Sequence, residues 1–190
     1  MKKRHLLLLG VFLLATMSLS ALGCGAASEQ NTESVAAAEP KENTSGPAQS
    51  EPIYAPDFTV TDREGNEVRF SDRAGKPVIL NLWASWCPPC RAELPDFDEA
   101  CRTYGDQIDF MMIDLCDGRS ETPATGGAFV DEEGYTFPVY FDTTGSAASA
   151  YQAYAIPMTI GVKKNGEISA VYNGKLSGEQ ITALMNSLLS

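Results

Sequence analysis

Val78-Ile79-Leu80-Asn81-Leu82-Trp83 is an almost unbroken apolar run, and four residues after it the chain reads Cys87-Pro88-Pro89-Cys90. Few arrangements accommodate that succession. An apolar run of this length is a central strand covered on both faces. The two prolines fit the first turn of a helix, where their missing N–H groups would find no partner anyway. The pattern predicts a helix from Pro88, with Leu94, Phe97, Cys101 and Tyr104 on one stripe and Gly105 closing it. A buried strand therefore runs directly into a helix whose first turn carries two cysteines.

The rest of the chain from Ile53 alternates in the same way. Phe58–Thr61 and Glu67–Phe70 flank the turn residues 62–66 and read as a hairpin. Ser71 is placed to cap a short helical turn. Asp109–Leu115 is a second buried strand, 117–134 reads as loop and helix, Phe137–Phe141 as a short strand and Ala147–Tyr154 as a short helix. Met158–Lys163 and Glu167–Tyr172 enclose Lys164-Asn165-Gly166, a strong hairpin signal. Ser177-Gly178-Glu179-Gln180 opens a final helix as a capping box, with Ile181, Leu184, Met185 and Leu188 on its apolar face. Strands alternating with helices, then a hairpin and a last helix, predict an α/β fold with a central mixed sheet flanked by helices on both faces.

Two cysteines three residues apart at a helix start can close a small disulfide ring. Free N–H groups and the positive end of the helix favour a thiolate at Cys87. Cys90 is one turn deeper, placed to attack a mixed disulfide and release the product. Other chemistries are short of residues. The only histidine, His5, lies in a segment expected to be removed. Without histidine there is no Ser-His-Asp triad, no Cys-His dyad and no His-ligated zinc. Haem attachment needs a histidine where Arg91 stands. No metal site is expected. With 14 Lys+Arg against 25 Asp+Glu and a net charge of −11, the chain offers no basic footprint for nucleic acid.

Residues 1–23 have the build of a secretory signal peptide: Lys2, Lys3 and Arg4, then an apolar stretch from Leu6 to Leu22. Ala21-Leu22-Gly23-Cys24 resembles a lipobox, with alanine where leucine is usual, and points to lipidation of Cys24. Ordinary cleavage without a lipid is the alternative. Residues 24–52 hold one aliphatic residue beyond alanine, Val35, and read as a disordered linker. Such a tether spans on the order of 30 Å. Loss of the three basic residues takes the net charge from −11 to −14, so attachment to a membrane would come from the lipid, not from a basic patch. Residues 53–190 form the folded domain.

Ala55-Pro56-Asp57-Phe58, Gly75-Lys76-Pro77-Val78, the stretch from Leu82 through Trp86-Cys87-Pro88-Pro89-Cys90 to Pro95, and Ile156-Pro157-Met158-Thr159 occur in this order. Together they resemble the TlpA/ResA-like branch of the thioredoxin superfamily, over essentially all of 53–190. The resemblance implies a thioredoxin fold with an N-terminal β-hairpin and an insertion around 117–142. It implies an extracytoplasmic thiol–disulfide oxidoreductase whose only redox group is the Cys87–Cys90 disulfide, with no further cofactor. Ile156-Pro157 is then a cis peptide facing the cysteines, exposing a backbone edge for a substrate segment. Trp86, Pro88, Pro89, Ile156 and Met158 become the surface that a substrate meets. The implied partners are exported protein disulfides, such as apocytochrome c or methionine sulfoxide reductases, with a membrane thiol reductase of CcdA type as electron donor. The implied location is the outer face of a bacterial cell membrane.

Some positions depart from the wider pattern. Thioredoxins proper bury an aspartate six residues before the first cysteine, where this chain has Asn81. Glu93 is the nearest substitute, on the Cys90 side of the helix, and glutamate also stands there in ResA-type members. The alternative is a solvated glutamate paired with Arg91. Cys101 reads as a small core residue. Cys116 is expected at the cysteine-pair end of the sheet, as buried filler or as a third thiol that traps intermediates. Helix geometry puts Cys101 and Cys116 too far apart to bridge. Two further functions compete with disulfide reduction. One is a thiol peroxidase, although Ala84 stands where peroxiredoxins have threonine. The other is a Cu(I)-binding carrier using the two thiolates.

Overall fold

The computed structural model describes residues 51–73 and 75–190. The expected signal peptide, Cys24 and all but the last two residues of the linker lie outside the described residues. Chain order gives β1 (Thr59–Thr61), β2 (Glu67–Arg69), a 3-10 turn (Phe70–Arg73), β3 (Val78–Trp83), α1 (Pro88–Arg91) and α2 (Leu94–Tyr104). Then follow β4 (Asp109–Leu115), α3 (Pro123–Glu133), β5 (Val139–Asp142), α4 (Ser146–Ala150), β6 (Met158–Val162), β7 (Ile168–Asn173) and α5 (Gly178–Leu189).

The seven strands form one mixed sheet in the order β2-β1-β5-β4-β3-β6-β7. The three central strands β3, β4 and β5 run parallel, β1 and β6 flank them antiparallel, and each flanking strand pairs antiparallel with its hairpin partner, β2 or β7. Period-2 alternation along β3 divides the core. Ile79 and Trp83 face a layer containing Phe97 of α2, Val130 of α3 and Leu184 of α5. Val78, Leu80 and Leu82 face Ala147 of α4, Tyr151 and Phe58. Asn81 shares the parity of Ile79 and Trp83, so it points to the α2 and α5 side. All six residues of β3 are buried, as its composition requires.

The one broken expectation in this part of the chain is the long helix from Pro88. It is two helices, interrupted at Ala92 and Glu93. Pro95 is the reason: it has no N–H to donate to the Arg91 carbonyl, and its ring crowds that carbonyl. The interruption makes Glu93 the N-terminal cap position of α2, so its side chain leaves the regular helical surface.

The 117–142 segment holds α3 and β5. Thr122 and Thr125 form a reciprocal cap at the start of α3, with Pro123 in the first turn. Buried Asp98 on α2 ties this segment down by accepting from the N–H and hydroxyl of Thr136 and from Phe137 N–H at 2.6, 3.0 and 3.1 Å. At the far edge, Gly166 closes the β6–β7 turn at φ 86°, a conformation that favours glycine. Ser177 and Gln180 make the expected capping box of α5.

Candidate active site

β3 ends at Trp83, and the turn Ala84-Ser85-Trp86 leads into α1. Cys87 N–H donates to the Ala84 carbonyl at 3.1 Å. Cys87 is the N-cap of α1, and its sulfur accepts from Cys90 N–H at 3.3 Å. The two cysteines are joined as a disulfide with their Cα atoms 5.3 Å apart. α1 is one turn long, so the N–H that stabilises negative charge on Cys87 belongs to Cys90 itself. The effect of a helix end acts only within its first turn in any case.

In this oxidised form Cys87 is 3% exposed and Cys90 is fully covered. The Cys87 sulfur stands 3.8 Å from the Ile156 carbonyl. The Ile156–Pro157 peptide is cis, and Pro157 is buried, with its carbonyl accepting from Gly174 N–H at 2.8 Å. Trp86 is 60% exposed, Pro88 and Pro89 are exposed, and Ile156 is half-buried. These residues make an apolar rim around the disulfide. Met158 does not join the rim. It is buried in the core layer with Leu82 and Ile160, because β6 begins there and turns its side chain into the sheet's other face.

Glu93 is fully buried. Its carboxylate accepts from the Asn81 amide at 2.9 Å and from Leu176 N–H at 2.7 Å, and the same Asn81 amide donates to Thr159 at 3.0 Å. Burial pushes Glu93 above the usual carboxylate range, offset in part by those two donors and by Lys175. The exposed pairing with Arg91 does not form. Arg91 instead reaches Glu133 at 3.5 Å and lies over the Phe129 ring. Asn81, on β3, thus takes Glu93 as its partner across the layer.

Two buried acids beside the site carry no sequence signal. Asp114 near the end of β4 and Glu121 before α3 are both fully buried. Their carboxyls are in hydrogen-bonding contact, and burial with the facing Glu121 pushes Asp114 up to about 8. Asp114 sits in the run that reads as a second buried strand, where nothing singles it out. Glu121 lies in a stretch of Gly, Ser and Thr that reads as loop. Cys101 and Cys116 are both free and half-buried. Burial raises both thiols, and the Asp114 and Glu121 carboxyls help push Cys116 up to about 12.

A family model described as AhpC/TSA family matches residues 54–171. The thiol-disulfide oxidoreductase ResA of Geobacillus kaustophilus is 33% identical over 135 residues, covering 70% of this chain and 75% of that one. This chain belongs to the AhpC/TSA family, on its ResA-like branch. Among solved structures, StoA from Bacillus subtilis matches with TM-score 0.60 and 26% identity over 70% of this chain and 98% of its own. The pneumococcal exposed lipoprotein thioredoxin Etrx1 from Streptococcus pneumoniae strain TIGR4 matches with TM-score 0.62 and 28% identity over 70% and 100%. The fold is a thioredoxin fold, and the chain is a thiol–disulfide oxidoreductase with Cys87 and Cys90 as its redox pair.

Proposed function

We propose that the domain is a lipid-tethered, extracytoplasmic reductant of exported protein disulfides. The observation that carries this reading is the Cys87-Pro88-Pro89-Cys90 ring at the start of α1, set against the Ile156 carbonyl. Neither residue between the cysteines donates a hydrogen bond or adds charge, so reduced Cys87 gains little beyond the Cys90 N–H. A thiolate stabilised only modestly makes a reductant, not a strong oxidant.

In the forward reaction the Cys87 thiolate attacks a substrate disulfide. The substrate S–S bond breaks, one substrate thiolate leaves, and a Cys87–substrate mixed disulfide forms. Cys90, as thiolate, then attacks the Cys87 sulfur, closing the ring and releasing the second substrate thiolate. Two electrons pass from the dithiol to the substrate, with no further cofactor. Glu93, held above its ordinary range, takes the proton that Cys90 gives up. The backbone edge at Ile156 and cis-Pro157 aligns the substrate segment, and Trp86, Pro88 and Pro89 give it an apolar contact. A membrane thiol reductase of CcdA type returns the electrons. Apocytochrome c and methionine sulfoxide reductases are candidate substrates.

The tether is Cys24. Support comes from its position behind a signal-like core and from the likeness to a solved protein described as an exposed lipoprotein. Expression of Cys90→Ser in cells should accumulate mixed disulfides between Cys87 and exported proteins. The purified domain should reduce insulin. Peroxide consumption without disulfide exchange, or tight Cu(I) binding without turnover, would overturn the reading. Cys24→Ala should leave the domain unprocessed or released, and membrane retention of a processed variant would contradict the lipid anchor.

A further inference from the structure

The disulfide chemistry uses Cys87, Cys90 and Glu93, and leaves unexplained a second acidic site at the same end of the sheet. The register of β3 against β4 sets Trp83 beside Asp114, and the chain then continues from Trp83 through Ser85 to Cys87. Glu121, 36 residues from Ser85, reaches that turn: one carboxylate oxygen accepts from Ser85 Oγ at 2.7 Å and from Ser85 N–H at 3.2 Å. The other oxygen accepts from the Thr125 hydroxyl at 3.4 Å.

The pair is built, not accidental. Gly126 of α3 lies so close that a Cβ there would come within 1.9 Å of Asp114 Oδ2. No larger residue fits against this carboxyl. Among the described residues neither Asp114 nor Glu121 has a salt-bridge partner. Two carboxyls in contact, buried and without a cation, cannot both be ionised at modest cost. One proton between them resolves this: protonated Asp114 donates to Glu121, and Glu121 keeps the charge that Ser85 requires. Asp114 Oδ1 finds no donor, which suits a neutral carboxyl better than a carboxylate.

We propose that Glu121 is a positioning residue for the dithiol, clamping the Ala84–Trp86 turn that presents Cys87, and that Asp114 keeps the clamp singly charged by holding one proton. The inference rests on Cys87 being the attacking thiol. Its consequence is a second source of pH dependence, separate from Glu93. The titratable groups facing the pair are Cys116 at 3.8 Å from Asp114 Oδ2 and, further off toward Cys116, Asp142 of β5. Both are acids, so nothing nearby compensates a second negative charge. When Asp114 ionises, near 8, the pair becomes a buried dianion close to the nucleophile's turn, and the Cys87 thiolate is disfavoured.

The test is iodoacetamide labelling of the reduced protein across the neutral and alkaline range, with the labelled residue assigned by mass spectrometry. Glu121→Ala, which removes both hydrogen bonds to Ser85, should slow Cys87 labelling at neutral pH by about tenfold, the scale of a lost charge-assisted hydrogen bond. Glu121→Gln, which keeps an oxygen for Ser85, should recover most of that loss. The parent profile should rise less steeply above about pH 8, and Asp114→Asn should remove the break. Equal slowing in Glu121→Gln and Glu121→Ala, or an Asp114→Asn profile that superimposes on the parent, would overturn the inference while leaving Cys87 as nucleophile. If Glu121→Ala does not fold, the two isosteric variants decide. Labelling that spares Cys87 in the parent would overturn both this inference and the proposed mechanism.

Discussion

Cys87 and Cys116 stand at the same end of the same sheet. β3 and β4 run parallel, with Trp83 opposite Asp114; Cys87 follows its strand by four residues and Cys116 follows its own directly. Their surroundings differ. Cys87 caps a helical turn and receives the Cys90 N–H. Cys116 faces Asp114 and is pushed up to about 12 by burial and by the Asp114, Glu121 and Asp142 carboxyls. A thiolate next to an N–H is stabilised, and one next to carboxylates is opposed. The end of the sheet brings thiols to one place, and their neighbours decide which one reacts.

The largest expected contrast is catalytic. Cys87→Ser should abolish insulin reduction, whereas Cys101→Ser, at a half-buried core position, should leave the rate near the parent's. Appreciable exchange without Cys87 would break the comparison outright. Next in size is reactivity. In the reduced protein at neutral pH, Cys87 should be alkylated roughly a hundredfold or more faster than Cys116, and comparable rates at the two would mean that the carboxyls do not control the thiol.

A smaller effect appears in stability. The native state holds the Asp114 proton up to about 8, whereas the unfolded chain gives it up in the ordinary carboxylate range. The native state thus binds more protons between those values, and stability falls as pH rises through that window. The slope is at most about 1.4 kcal/mol per pH unit. Urea midpoints measured across the window should show the decline, and Asp114→Asn should flatten it. A parent curve that rises there would contradict a shared proton.

The smallest effect concerns Glu93→Gln. Asn81 Oδ1 has no partner, so Asn81 can turn over and accept from the new amide while Thr159 donates to it. Stability should change little, and the pH dependence of exchange should lose the part that titrates above the usual carboxylate range. A large loss of stability with an unchanged pH profile would make Glu93 a structural residue.

These contrasts also mark how far the sequence could be read. The strand at Val78–Trp83, the hairpin around Asn165-Gly166 and the capping box at Ser177 follow from local chemistry and are present as expected. The cysteine pair was equally legible, because two prolines and two cysteines after a buried strand leave few alternatives. Glu93 reads from the sequence either as the substitute for a buried acid or as a solvated glutamate, and the break at Pro95, which makes it a cap position instead of a helix-surface residue, is what separates the two. Asp98, Asp114 and Glu121 were not legible. Asp98 and Glu121 are fixed by partners 36 to 39 residues away, Asp114 meets Glu121 only through the path of the loop between them, and no local pattern distinguishes the three from solvated acids. Met158 was placed with the substrate edge by its neighbour Pro157, whereas strand alternation sends its side chain into the core.

The central claim, that this dithiol donates electrons, is tested most directly by its reduction potential, measured by equilibration of the Cys87–Cys90 couple with glutathione or dithiothreitol. Pro88 and Pro89 add no donor or charge, and Glu93 opposes further negative charge near Cys90. The account therefore predicts a value nearer thioredoxin, about −270 mV, than the strong oxidant DsbA, about −120 mV. A potential above about −180 mV, the value of protein disulfide isomerase, would contradict it and assign the chain to oxidation or isomerisation instead.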